Sequence, residues 1–317
     1  MSVAVDLGRA QMKRASSPLP CPPEEERGNH RPGHNAQDSL GRLSPAQKPG
    51  PVGIWVRGRT VGKRFGKLLL AIWVVMDAAD APVQGESKLL YEEPKYLTAR
   101  IYAKDSDPGQ SLFKFKRVAT RTGETLDVVR DYTYPDGKLA AREHVVYEGD
   151  ALVLFELEET QTGAKGSARV RRDAQNPGKG TIDFDYSSGS GKPKLRREPL
   201  AEDTLVGDMV APFLRDHWDK LVNGEKVKCR YIVVARRETV GFSFVKDSEC
   251  TLNGREVLIL KMEPTSRILA VLVDPLFFTI EKAPPHHVLR YEGRTTPKAA
   301  SAGKWKDLDA ETVFDWK

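Results

Sequence analysis

Histidine and cysteine are the side chains best able to ligate a metal or carry a nucleophilic step near neutral pH. The 317-residue chain holds six of the first and three of the second. His30 and His34 lie in a Pro- and Gly-rich leader, and His144 sits alone in an alternating pattern, so neither place offers a ligand set. His286 and His287 are adjacent, and neighbours on a regular strand face opposite sides of the sheet, which keeps them from sharing one metal. His217, between Asp216 and Trp218 in a helical pattern, reads as a satisfied boundary histidine. No CxxC pair is present, which argues against a Cys-rich zinc site. There is no GxSxG elbow, no Walker loop and no GxGxxG after a strand. Ser188-Gly-Ser-Gly191 lacks the flanking strand and helix of a phosphate loop and reads as a linker. Glu156, Glu158 and Glu159 read as the polar face and end of a strand. The chain is therefore expected to have no nameable catalytic residue, no metal site and no cofactor.

What recurs instead is apolar. Tyr231 and Val233, then Phe242 and Phe244, then Leu258, Leu260 and Met262 each fall on one face of a strand pattern, and Phe278 is placed to join them. Packing against a helix over Leu205–Val222 is the plain explanation. A groove left between sheet and helix would instead take an acyl chain or similar ligand, with Trp218, Tyr231, Phe242, Phe244, Leu260 and Phe278 as its lining. Cys229 and Cys250 fall in the same stretch, and a disulfide between them would contribute ~2–4 kcal/mol. Register opposes a direct bridge: a hairpin centred near residues 237–238 puts Cys229 opposite residues around 246, so a bulge near Cys250 would be needed.

The elements that must position these residues are mostly strands. Period-two alternation runs through Tyr96–Lys104, Leu112–Ala119, Thr125–Tyr134, Lys138–Tyr147 and Ala151–Glu158, with weaker strands near Ser167–Arg172 and Gly180–Tyr186. Pro135-Asp-Gly137 closes a hairpin, since Asp-Gly readily supplies the positive φ such turns need. One long helix is expected over Leu205–Val222, where apolar residues recur at spacings of three and four and Asn223-Gly224 ends the run. Strands follow at Lys226–Arg236, Thr239–Lys246, Glu256–Met262, Leu276–Lys282 and His287–Gly293, and Ser266–Val273 suggests a second, short helix. About twelve strands are too many for a flat open sheet, which would curl or split. The expected fold is mainly β: a large curved antiparallel sheet, a half-barrel, wrapped around the long helix.

Charge and composition divide the chain. Residues 1–81 carry 12 Lys and Arg against 7 Asp and Glu, and residues 82–317 carry 38 against 37. The near-neutral body lacks the electrostatic footprint of a nucleic-acid binder, and its basic clusters Arg169–Arg172 and Lys192–Arg197 read as a solvated strand edge and a loop. Residues 1–53 cannot bury enough apolar surface to offset their ordering entropy and are expected to be a disordered leader produced by a misplaced start. Within 54–85, Arg57, Arg59, Lys63, Arg64 and Lys67 precede the apolar run Leu68–Met76 and the small-residue stretch Asp77–Ala81, the parts of a signal peptide. The run is too short to span a bilayer. Residues 86–300 form the expected domain and 301–317 a tail able to add one strand.

The stretch Trp218-x-x-Leu-x-x-Gly-x-x-Val-x-Cys-Arg-Tyr-Ile-Val-Val-Ala-Arg236 and the closing Leu289-Arg-Tyr-Glu-Gly-Arg-Thr-Thr-Pro297 resemble those of a family of secreted bacterial β proteins built on a domain of unknown function. Such proteins look like distant relatives of the half-barrel periplasmic lipoprotein carriers. The resemblance implies a hydrophobic groove and transfers no functional residue. The expected protein is periplasmic or secreted after cleavage and binds or carries an apolar small molecule or lipid. An enzyme working in the same groove, with Arg230, His287 or Arg290 buried beside it, is the second expectation. A module binding partners through its sheet edges is the third.

Overall fold

The computed structural model describes residues 88–316 except 105–109, 177, 267, 269 and 271–273. The expected leader and signal peptide lie outside the described residues. Alternating burial drives strand formation throughout. In β2 (Phe113–Thr122) Phe113, Phe115 and Arg117 point inward, with Lys114 and Lys116 between them exposed. The other strands are β1 (Tyr96–Ala103), β3 (Thr125–Thr133), β4 (Leu139–Glu148), β5 (Ala151–Glu159), β6 (Ala164–Arg172), β7 (Gly180–Ser187) and β8 (Lys194–Pro199). Then come β9 (Thr204–Leu205), β10 (Val227–Val233), β11 (Glu238–Leu252), β12 (Arg255–Pro264), β13 (Leu276–Glu281), β14 (Val288–Ser301) and β15 (Lys304–Asp315).

The fifteen strands of the described residues belong to one curved sheet, ordered β8 through β1, then β15 through β9. Every pairing is antiparallel except the short β9–β10 contact. The chain thus runs outward from the middle along one wing, β1 to β8, crosses to the far edge, and returns along a second wing, β9 to β15. The sheet has three more strands than expected. β8 consists of Lys-Leu-Arg-Arg-Glu-Pro and is almost wholly exposed, so it has no apolar phase to betray it; β9 has two residues; β15 is the strand the tail was expected to be able to add, bonded to β1 and β14 on its two sides.

The sheet is open in its backbone bonding, yet its two ends meet through side chains. Glu198 on β8 accepts from the Thr239 N–H on β11 at 2.8 Å and from Thr239 Oγ1 at 3.2 Å. The 3-10 turn Val234–Arg236 after β10 covers β6, where a Cβ on Gly166 would overlap Val234.

The long helix expected over Leu205–Val222 is instead a broken helical segment. A 3-10 turn, Gly207–Met209, leads into α1 (Val210–Asp216), and after His217 the chain resumes as α2 (Trp218–Val222). The break has a local cause: His217 has non-helical backbone angles, and both its N–H (3.3 Å) and its ring Nδ1 (3.0 Å) converge on the Phe213 carbonyl. Leu205 is strand, because it pairs with Tyr231. Of the second expected helix, Ile268 and Ala270 are helical, with Ala270 N–H donating to Ser266 O; the rest lies outside the described residues. The main core lies between this crossover segment and the sheet, and includes Met209, Phe213, Leu214 and Leu221 with Val145, Tyr147, Phe244 and Leu260.

Candidate functional site: an interior with a charged wall and an aromatic wall

The crossover segment faces two unlike walls. On the β1–β8 wing, charged residues occupy inward positions. Arg117, in phase with Phe113 and Phe115, forms a two-pronged ion pair with Asp208 of the 3-10 turn, Nε to Oδ1 at 2.7 Å and Nη2 to Oδ2 at 3.0 Å. Their side chains are 6% and 2% exposed. The remaining guanidinium hydrogens go to the carbonyls of Tyr91, at 2.6 Å, and Pro94. Tyr147 donates to Asp208 Oδ2 at 3.1 Å and stacks on Tyr91 at 4.4 Å. A second pair lies alongside: Arg130 Nη1 donates to Glu143 Oε2 at 2.6 Å, and Tyr132 and Thr296 donate to Glu143 Oε1. Arg130 also sits over the Phe115 ring at 5.2 Å. Gly207 lets the segment pass between the pairs, since a Cβ there would lie 2.5 Å from Arg130 Nη1 and 3.0 Å from the Tyr231 hydroxyl.

The electrostatics make this wall an anchor. Burial alone would raise the Asp208 carboxyl, but the charge and hydrogen bonds of Arg117 hold it below its ordinary value. Burial, reinforced by Asp208, drives Tyr147 well up, and burial pushes Tyr91 up to about 12. Tyr132, Tyr231 and Tyr291 are raised as well, burial being the largest cause in each. These hydroxyls stay protonated at neutral pH, and the ion pairs are saturated by one another.

On the β9–β15 wing the wall is aromatic. Phe213 of α1 meets Phe244 at 5.9 Å between ring centres, Phe244 meets Phe278 at 5.7 Å, and Phe278 meets Tyr291 at 5.0 Å. Tyr231 meets Phe242 edge-on at 6.2 Å. Of the six residues expected to line a groove, Phe242, Phe244, Leu260 and Phe278 are buried in this core. Tyr231 reaches across to Gly207. Trp218 lies half-buried at the rim, stacked at 3.9 Å on His286.

Pairing and turn geometry decide two readings of the sequence. Cys229 is a buried free thiol, so the possible Cys229–Cys250 disulfide, which register opposed, is absent. Cys229 is paired with Phe242 and Cys250 with Val257, which separates them by eight residues along β11, roughly 26 Å; a disulfide tolerates under ~7 Å between Cα atoms. Burial pushes the Cys229 thiol up to about 12. His286 and His287 occupy the turn between β13 and β14, not a strand, and His286 has φ 59. His287 stacks on Trp316 at 3.8 Å. Arg230 is tied to Thr239 through its side-chain oxygen at 2.8 Å and its carbonyl at 2.6 Å, and Arg290 to Glu311 at 2.8 Å.

Outside the core, a groove of about 570 Å³ crosses the outer face of β3 to β7. His144 is among its lining residues, with Nε2 3.0 Å from Asp127 Oδ1 and Nδ1 3.0 Å from Glu156 Oε2. Burial lowers the imidazole, but the two carboxylates more than reverse this and leave it raised. Among the described residues no group of three His, Cys, Asp or Glu side chains converges as a metal site.

No protein-family model and no curated protein matches the chain. Among solved structures it is similar to a β-barrel-like protein of the domain of unknown function DUF1849 from Brucella abortus, at 7% identity and TM-score 0.32, covering 69% of this chain and 96% of that one. It is also similar to a DUF1329 family protein from Desulfovibrio piger, at 11% identity and TM-score 0.21, covering 72% and 85%. Likeness this shallow carries no functional argument.

Sequence reasoning found the aromatic wall and missed the charged one. A signal was present: Arg117 and Arg130 stand in phase with the apolar residues of their strands, as does Glu143 with Val145 and Tyr147. A charge in the buried phase calls for a partner of opposite sign.

Proposed function

We propose that this chain is an exported binding protein for an apolar ligand in the bacterial envelope, not a catalyst. The carrying observation is the unbroken run of ring contacts from Phe213 on the crossover segment through Phe244 and Phe278 to Tyr291. Such a run is a wall an acyl chain can lie against once the segment moves off it. The segment is suited to that movement. Its Gly207–Met209 end is pinned to the other wing by the charge of Asp208, whereas its α2 end is held by apolar contact, through buried Leu221 and the Trp218–His286 stack at the rim. Among the described residues of the interior, the ion pairs are saturated by one another and the tyrosine hydroxyls stay protonated near neutral pH, which supports binding over catalysis.

The test is native mass spectrometry of protein produced by its own host, together with titration of delipidated protein with a fluorescent fatty acid. A retained lipid-sized mass and saturable one-to-one uptake, weakened by Trp218→Ala, are expected. Absence of both in folded protein overturns the reading.

A further inference from the structure

The near-neutral balance of the body conceals a separation of charge along the sheet. Between Lys165 and Arg197 stand nine Lys and Arg against three Asp, while the rest of residues 82–317 holds 29 against 34. This stretch is β6, the β6–β7 turn, β7, the following loop and most of β8, so the excess is gathered at one end of the sheet.

Pairing places Lys165, Arg169, Arg171 and Arg197 on the outer face, whereas Lys194 and Arg196, opposite Phe184 and its neighbour Tyr186, and Arg172, in phase with Val170, lie on the other. One cross-strand row reads Arg169, Asp183, Arg197. Asp183 is the only carboxylate in that row, and it also takes Arg171 at 3.1 Å. Three arginines thus share one carboxylate, whose hydrogen bond to Arg197 holds its pKa low. The side chains of Arg171 and Arg197 are 64% and 65% exposed. In the next row Leu195 lies opposite Asp185, on the same outer face as Arg197, and is 75% exposed. Lys194, Leu195, Arg196 and Arg197 are consecutive exposed residues of β8, the last strand at that end.

We infer that this end of the sheet docks on an anionic phospholipid surface. Cations near such a surface each add attraction that salt screens away. An apolar side chain set among them gains by entering the headgroup–acyl boundary, as in interfacial helices. A nucleic-acid strand would ask for exposed stacking rings beside the cations; the outer face of this end offers leucine. The inference is independent of the apolar cargo, because it concerns where the protein rests and not what it holds.

The experiment is flotation of the full chain with vesicles of phosphatidylcholine containing 30% phosphatidylglycerol, at 50 and 300 mM salt, against vesicles of phosphatidylcholine alone. Binding should require the anionic lipid and fall at high salt. Replacing Lys165, Arg169 and Arg171 by Gln should lower partitioning on the order of a hundredfold, at roughly fivefold per cation. Leu195→Ala should weaken partitioning at both salts. Circular dichroism and the urea midpoint establish that each variant is folded. No flotation of the wild-type chain, equal flotation on neutral vesicles, or unchanged flotation of the folded triple variant would each overturn the inference. None of these outcomes bears on lipid uptake in the interior, so the two readings fail separately.

Discussion

The two wings enclose one crossover segment and hold it by different physics. The β1–β8 wing uses directional bonds: Arg117 and Tyr147 reach a single carboxylate, Asp208, through three hydrogen bonds of 2.7 to 3.1 Å. The β9–β15 wing uses area and shape, with Phe242, Phe244, Leu260 and Phe278 packed against Phe213 and Leu221. A buried charge pair tolerates no slippage, because moving one partner strands the other in a low dielectric. An apolar surface loses stability in proportion to the contact removed. The charged wing therefore fixes where the segment starts, and the aromatic wing is the side on which it can shift.

The sharpest way to break this contrast is to make size-conserving changes on each wall. Arg117→Met leaves Asp208 buried without its paired cation and is expected to cost about 3–5 kcal/mol, read as a lowered urea midpoint. Arg117→Lys keeps the charge but loses the fork that serves Asp208, Tyr91 and Pro94 together, so it should rescue only part of that loss. The double change Arg117→Met, Asp208→Leu should be milder than Arg117→Met alone, since no unpaired charge remains. Equality of single and double variants would mean that the pair is not the anchor.

On the aromatic wall, Phe244→Leu should cost less than about 1.5 kcal/mol, and Phe244→Ala about 3–5. A graded response there, against an abrupt one at Arg117, is the expected signature. If Phe244→Leu were as damaging as Arg117→Lys, the distinction between walls would be lost.

The outer face offers a smaller, pH-dependent test. The folded-state pKa of His144 is raised above its unfolded value by Glu156 and Asp127. Its contribution is therefore complete below the unfolded value of about 6.5 and lost as pH rises through the raised folded value. All three groups are partly exposed, so the contribution should stay under about 1 kcal/mol. Stability curves of wild type and His144→Gln should differ at pH 5.5 and converge at pH 9. The least disruptive test concerns Cys229, whose buried thiol should resist a thiol reagent in native buffer and react once denaturant is added.

The sequence made legible what repeats. Alternation in Thr125–Tyr134 and Lys138–Tyr147, and the Asp-Gly turn between them, map onto β3 and β4, and Asn253-Gly254, with φ of 49 and 78, makes the β11–β12 turn. The unreadable parts depend on partners distant in sequence. β8 exists because β7 offers it an edge, although none of its own residues marks a buried phase. The pairing of Asp208 with Arg117 spans 91 residues. The break at His217 depends on a ring nitrogen finding one carbonyl, which a helical spacing pattern does not contain.

The sheet order has a consequence in time. β1 is bonded on one side to β2 and on the other to β15, with Thr98 opposite Asp315. The first described strand to leave a ribosome or a translocation pore thus waits for residues 217 positions further on before its second edge is covered. Until then β1 and β14 both present open edges, the kind that recruit a neighbouring chain. Contacts that span so much sequence form slowly. Truncation within β15 should accordingly yield aggregation and not a slightly destabilised monomer, and a chaperone that shields strand edges would act most usefully on the chain after β14 has emerged and before β15 arrives.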